Sequence, residues 1–371
     1  MTEKDIKYKR KQLFLLCTVK RYMTKSLLLL LLALICLKTQ AQNHYFGRNS
    51  FPFLNSIYSA RSAGFGSNLI TIRDGDLGLS AANPALLSEK SIQNLQINQA
   101  LTPAGGQLGM VGYAFKSKIG LLSPVIKFQN YGGFQGTDEL GNETNKFSAI
   151  DYTLGVNYGT SLGKVINVGF GLHLIGSHLE TYSALGVCGI FGANYKHPTQ
   201  DFSASFVVKN IGVQLFNYTD TERLPLPAEV QAGISYKLKH APFRISVLGH
   251  HLNHWRILYE DPTAQPSIDG LTGDTIPVQV PGFGKTLASH FSYALELIAS
   301  ENLHFRTGFD YMRREQMKLL DRPGLSGFSF GIGLKLKKIR LDYGVLLVSK
   351  AGQNHYLGLS TNIGDWKKKR F

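Results

Sequence analysis

Cysteine, proline and long apolar runs are all scarce in this chain, and each shortage excludes something. There are three cysteines, and Cys17 and Cys36 both precede residue 42. Only Cys188 follows, so the rest of the chain cannot form an internal disulfide and must find its stability elsewhere. Cys188 lies between Val187 and Gly189 in an alternating stretch, a setting for packing rather than thiol chemistry. Proline numbers 13 against 39 glycines, a balance that suits many tight turns better than disorder. The apolar run Ser26–Leu37, SLLLLLLALICL, is short of the roughly 20 residues that a membrane-spanning helix needs.

What is present begins with a leader. Lys20, Arg21 and Lys25 precede the apolar run and Thr39-Gln40-Ala41 follows it, the order of a secretory signal. Residues 1–41 are therefore expected to be a signal peptide, with Met23 the true start and 1–22 an extension. Ile35 before Cys36 is too bulky for a lipoprotein signal. Acidic residues are outnumbered, 25 against 40 Lys plus Arg, for a net charge of +15. After residue 41 the balance is 31 to 23, a net charge of +8, scattered at strand ends and in the tail Lys367–Arg370. A nucleic-acid footprint would cluster on one face, so no nucleic-acid partner is expected.

From Ile92 onward the pattern has period two. Candidate strands fall at 92–101, 107–116, 119–130, 146–158, 165–178, 182–195, 201–211, 228–238, 243–252, 287–298, 303–313, 326–336, 339–349 and 353–363. They are longer than ordinary globular strands, which cluster near about 5–6 residues. In FSFGIGLKL, Phe328 to Leu336, the odd-placed residues are apolar and the others are small or polar. Val165 to Ile175 sets Ile166, Val168, Phe170, Leu172 and Leu174 against Asn167, Gly169, Gly171 and His173. Apolar residues facing lipid and small or polar ones facing a lumen mark an outer-membrane barrel.

The connections agree. Numbered from the first strand, the even ones are short, as at Ser117-Lys118 and Lys337-Lys338. Most odd ones are longer: Thr102 to Gly106, Tyr131 to Asn145, Gly212 to Pro227, Asn253 to Thr286 and Arg314 to Leu325. Short periplasmic turns, long outer loops and an even strand number are rules of such barrels. Tyr113, Phe128, Tyr131, Tyr158, Tyr195, Tyr236, Tyr311 and Tyr343 lie near strand ends, as interfacial aromatics do. The fold class is thus all-β, a fourteen-stranded antiparallel transmembrane barrel, reached by Sec-type export to the outer membrane.

Motifs of chemistry are weak. Gly284-Lys285-Thr286 would need a glycine at position 279, which is Gln279, and lacks a strand-to-helix context. In His250-His251-Leu252-Asn253-His254, alternation puts His250 and His254 on one face and His251 on the other, so a strand-end cluster near the surface is expected rather than zinc. The pairs Asp138-Glu139 and Glu260-Asp261 sit in long loops. There is no Gly-x-Ser-x-Gly elbow. No catalytic residue, cofactor or metal is expected, and the protein is read as a non-enzyme.

Before the first strand, SARSAGFGSN (Ser59–Asn68), Asp74 to Asp76 and Asn83-Pro84-Ala85-Leu86-Leu87 resemble the opening of the FadL-like outer-membrane proteins. That resemblance implies that residues 42–90 form a plug inside a barrel over 91–364, with a basic tail at 365–371. It implies a structural role in the plug for Arg61, Gly64, Gly66, Asp74, Asp76, Asn83, Pro84 and Ala85. Further blocks, "FSAIDYTLGVNYG", "FSASFVVKNIG" and above all "KLKHAPFRISVLGHHLNHW" (Lys237 to Trp255), are similar to the PorQ group of FadL-like barrels in type IX secretion. This closer resemblance implies a non-enzymatic member of a surface attachment complex. Its partners would be a PorZ-like surface protein, a PorV-like barrel and a PorU-like sortase, and the complex would attach cargo to anionic lipopolysaccharide. Partner contacts would fall in the outer loops Tyr131 to Asn145 and Asn253 to Thr286, a placement that rests on topology. The competing expectation is a FadL-type transporter of hydrophobic small molecules.

Overall fold

The computed structural model describes residues 49–366, apart from 104, 220–222, 260–262, 264, 269–270, 272, 274, 277, 279, 319–323 and 350–351. The expected leader 1–41, the pair Glu260-Asp261 and the tail from Lys367 onward lie outside the described residues. No helix among the described residues is long and apolar enough to cross a membrane.

The chain crosses with strands instead. They are β1 Asn94–Leu101, β2 Gln107–Tyr113, β3 Leu121–Thr137, β4 Glu143–Leu162, β5 Ile166–Leu179, β6 Tyr182–Lys196 and β7 Phe202–Phe216. The second half has β8 Glu229–Lys237, β9 Phe243–Gly249, β10 Phe291–Ile298, β11 Leu303–Asp310, β12 Phe328–Leu336, β13 Ile339–Ser349 and β14 Gly352–Asn362. Phe115–Lys116 continues β2 past Ala114, since both pieces pair with β3. Each strand pairs antiparallel with its neighbours in sequence. The ring closes where β14 lies along all of β1, from Asn94 opposite Asn362 to Leu101 opposite His355. Closure leaves no unpaired edge in lipid.

Alternation sets the two faces. On β5, Asn167, Gly169, Gly171 and His173 are buried, whereas Phe170 and Leu172 are 50% and 55% exposed. On β4, Asp151, Thr153 and Asn157 are buried and Leu154 and Val156 point out. A soluble protein would not leave such a belt of Leu, Ile, Val and Phe in water; a bilayer covers it. Tyr158, Tyr195 and Tyr236 lie on the outward side near the short-turn end. Tyr131 does not join them, because its hydroxyl donates to Asp151 Oδ2 at 2.7 Å. Tyr311 opens a helix rather than ending a strand.

Each of the fourteen expected windows contains a strand, and the differences have local causes. The expected loop Tyr131 to Asn145 is mostly ladder, in which Gly133 to Thr137 pair with Ser148 to Glu143 around a turn at 138–142. Asp138 closes that turn, with Oδ1 accepting from Leu140 N and Asn142 N at 2.9 and 2.8 Å. Glycines at 132, 133 and 136 and two register shifts had blurred the alternation there. On β7, Lys209 and Asn210 are both buried, and Asn210 has φ 59°. This bulge reverses the parity, so the strand runs on to Phe216 rather than stopping at 211. Residues 287–289 belong to helix α3 Phe283–Ser289, not to β10. β11 stops at Asp310, whose Oδ1 accepts from Arg313 N at 2.7 Å and caps helix α4 Tyr311–Met317.

Candidate functional site: a plug held in the lumen

Residues 49 to 93 fill the lumen as short turns rather than as a regular layer. Helix α1 spans Ala60–Gly64 and helix α2 spans Leu77–Ser80, with a 3-10 turn at Pro84–Leu86. Such short helices leave most of their backbone groups without intrahelical partners. The barrel wall supplies some: Gln96 Oε1 on β1 accepts from Leu77 N and Gly78 N at 2.8 and 3.1 Å, and Asn98 Oδ1 accepts from Ala60 N at 3.1 Å. Within the plug, Asp76 Oδ1 caps α2 by accepting from Leu79 N at 3.0 Å. Asn83 bridges, donating to Ile70 O at 2.8 Å and accepting from Ala85 N at 3.0 Å. Pro84 opens the 3-10 turn, where its missing N–H costs nothing.

Arg61 is 1% exposed and is the centre of a charge network. Its guanidinium grips Asp74 with two nitrogens, Nη1 to Oδ1 at 3.0 Å and Nη2 to Oδ2 at 2.7 Å. It also lies 3.4 Å from Asp76 and 3.5 Å from Glu296 on β10. Glu296 in turn faces Arg244 on β9 at 2.5 Å and Arg306 on β11 at 3.0 Å. Arg306 reaches Asp342 on β13 at 2.7 Å, and Asp342 holds Arg340 at 2.9 Å. Four guanidinium groups thus meet four carboxylates, so the network is neutral and ties plug to wall. Buried charges are tolerated in such paired, hydrogen-bonded sets.

Glycine makes the close approach possible. A Cβ on Gly308 would collide with Phe65 O, one on Gly344 with Ala60 O, and one on Gly192 with Asn83 Oδ1. A Cβ on Gly169 would strike the Pro84–Ala85 peptide. Gly64 and Gly331 meet back to back, a Cβ on Gly64 falling 3.0 Å from Gly331 Cα. Gly66 has φ +75°, a conformation that favours glycine, and sits on Ser329. These inward glycines are therefore part of the footprint of the plug on the wall. Arg61, Gly64 and Gly66 meet the wall at β10 and β12, Asn83, Pro84 and Ala85 meet it at β5 and β6, and Asp74 and Asp76 face Arg61 within the plug. Sequence reasoning missed the wall half of it: Gln96, Asn98, Arg244, Glu296, Arg306 and Asp342. The signal was available, as amide and charged residues at inward positions of lipid-exposed strands.

Between plug and wall lies a cavity of about 30 Å³ lined by Tyr58, Asn68, Met110, Lys127, Lys209 and Asn210 among others. That is room for about one water; a cavity known to hold benzene measures about 150 Å³.

No family model matches this chain, and no curated protein matches it. Solved structures do. The toluene transporter TbuX of Ralstonia pickettii superposes with a TM-score of 0.51 at 12% identity, covering 84% of this chain and 99% of that one. A mutant of the monoaromatic hydrocarbon channel TodX gives 0.50 at 12% identity, covering 82% and 99%. The fold is FadL-like. This agrees with the fold expected from Ser59–Leu87.

The remaining motifs of the FadL-like barrel take modest roles. Lys285 of the Gly-Lys-Thr stretch lies on α3 and pairs with Glu315 at 2.6 Å. His250 and His251 are not spread over two faces: their Nδ1 atoms are 2.8 Å apart, and His250 is 4% exposed. The strand has ended at Gly249, and His251 has φ 53°, so alternation no longer applies.

A pH effect follows from the plug. Burial opposes the charge on Asp74, but Arg61 outweighs it and holds the carboxyl at about 2, below its ordinary 3.8. A carboxylate with a depressed pKa stabilises the native state when ionised, so its contribution is whole above about pH 4 and is lost as pH falls through about 2. Hydrogen exchange of residues 60–80 is expected to stay slow at pH 4 and to accelerate, after correction for intrinsic rates, near pH 2. Equal protection at both would mean that Asp74 does not anchor the plug.

Proposed function

We propose that this FadL-like barrel is a membrane anchor for a surface partner, not a conduit. The observation that carries this is the ribbon at the outer end of β3 and β4. β2 accompanies β3 only as far as Asn130, and β5 accompanies β4 only from Ala149. Beyond those points the two strands pair only with each other, so the ribbon stands out past its neighbours with both edges open. Phe134 and Phe147 stack at 5.3 Å along it, and Leu140 at the tip is 88% exposed. Open strand edges are templates for another chain. The ion-paired plug supports a closed interior. Together with the PorQ-like sequence blocks, this favours a place in a type IX attachment complex, holding a PorZ-like surface protein beside a PorV-like barrel and a PorU-like sortase.

A second reading, passage of hydrophobic small molecules, is favoured by the fold alone, since TbuX is described as a toluene transporter and TodX as a hydrocarbon channel. An apolar hollow of about 530 Å³ on the outer wall, lined by Ile97, Ile332, Leu341, Leu357 and Leu359, fits it as well.

Purification of the tagged barrel in mild detergent separates the two. The anchor reading expects a PorZ-like surface protein in stoichiometric yield, and capture reduced about tenfold when 132–146 is replaced by a two-residue turn. Bound hydrophobic molecules with no protein partner would sink the anchor reading and support the second.

A further inference from the structure

We propose that Glu229, His250 and His251 bind a divalent transition-metal cation of the zinc class at the outer end of the barrel. Glu229 opens β8, and the histidines follow the end of β9. One ligand atom from each lies within 4.8 Å of the other two. His251 Nδ1 is 3.6 Å from Glu229 Oε1 and 2.8 Å from His250 Nδ1. Bonds of about 2.0–2.1 Å in a tetrahedral zinc site separate ligand atoms by about 3.3 Å. Spreading the two rings by about half an ångström therefore opens the position between them.

The surroundings orient these ligands. Lys209 Nζ takes Glu229 Oε2 at 2.9 Å, and Gln231 Nε2 donates to Oε1 at 2.6 Å, which holds Oε1 toward the histidines. His250 Nε2 is buried with no hydrogen-bond partner and lies 3.8 Å from Asp310 Oδ2. Metal on His250 Nδ1 fixes the ring proton on Nε2 and aims it at Asp310, the carboxylate–histidine–metal relay seen around bound metals. Asp310 Oδ2 is shared between His250 Nε2 and Arg313 Nη2, each at 3.8 Å.

A metal here joins the start of β8 to the outer segment that begins at His250. That segment is already held by His290, whose ring nitrogens lie 3.0 Å from His250 O and 3.1 Å from Trp255 O. The site stands whether or not the attachment reading holds.

The test uses the full barrel without a polyhistidine tag, stripped with chelator in detergent and titrated with Co²⁺ and then Zn²⁺. One Co²⁺ per barrel is expected, with the visible absorption of a tetrahedral site that Zn²⁺ abolishes. Asp310→Asn, which retains a helix-capping side chain, is expected to weaken binding about tenfold or more. His250→Asn/His251→Asn is expected to abolish it while the barrel still shifts on an unheated gel; should that variant not fold, Glu229→Gln takes its place with the same expectation. Absence of stoichiometric binding to the wild type, or undiminished binding to a folded variant, would overturn the site.

Discussion

The barrel carrying Arg61→Ala is expected to lose about 3–5 kcal/mol of stability, the usual cost of removing one partner from a buried charge set. The substitution leaves Asp74 and Asp76 without their ion-pair partner inside the lumen, while Glu296 keeps Arg244 and Arg306. The loss should therefore fall on the plug rather than on the wall, whose ladders are independent of Arg61. Two measurements check this. The temperature at which the folded band disappears from an unheated gel should drop, and protease should cut within 57–90. Arg61→Lys keeps the charge but not the two-pronged grip on Asp74, and an intermediate result is expected. Adding Asp74→Asn to Arg61→Ala should recover part of the loss, since the two residues share one interaction. A wild-type melting temperature and an uncut plug would show that the network does not lock it.

Gly308→Val is expected to do comparable damage by steric means. The new side chain would occupy the place of Phe65 O, a backbone atom that cannot swing away. Overpacking a well-filled interior costs about 1–3 kcal/mol and more where backbone must shift. Here the whole turn after α1 must move, which also pulls Arg61 from Glu296. Gly282→Ala is the matched control: nothing lies within 4 Å of its Cβ position, and its φ of −69° suits any residue. The expected pattern is a barrel that still folds but whose residues 57–90 exchange amide protons rapidly in Gly308→Val and slowly in Gly282→Ala. Equal protection in the two would mean that the plug does not seat against β11.

Much of the wall was legible. The period-two pattern depends only on where successive side chains point along an extended chain, so Asn167, Gly169 and Gly171 could be assigned to the lumen and Ile166, Phe170 and Leu172 to lipid from the order of residues alone. Strand number, antiparallel order and the loop asymmetry followed from counting. The pattern failed where the backbone left the regular extended form, at the Asn210 bulge, at His251 and in the glycine-rich ribbon, because each of these changes parity or hides it. The helix cap at Asp310 was a readable signal overshadowed by the strand pattern before it.

The plug was legible as a segment but not as a mechanism. Arg61, Asp74 and Asp76 stood out in the sequence, yet their partner Glu296 lies far along the chain, and the inward position of a strand does not say which part of the lumen it faces. That depends on the closure of the ring, on the stagger of fourteen strands and on how the plug turns inside them. Likewise the glycines opposite Pro84 and Phe65 read as small lumen residues until the plug backbone was found against them. Sequence alone determined the face of each strand, since alternation is local; tertiary structure decided the ion-pair partners and the glycine footprint, since contacts across a lumen are set by closure and not by period.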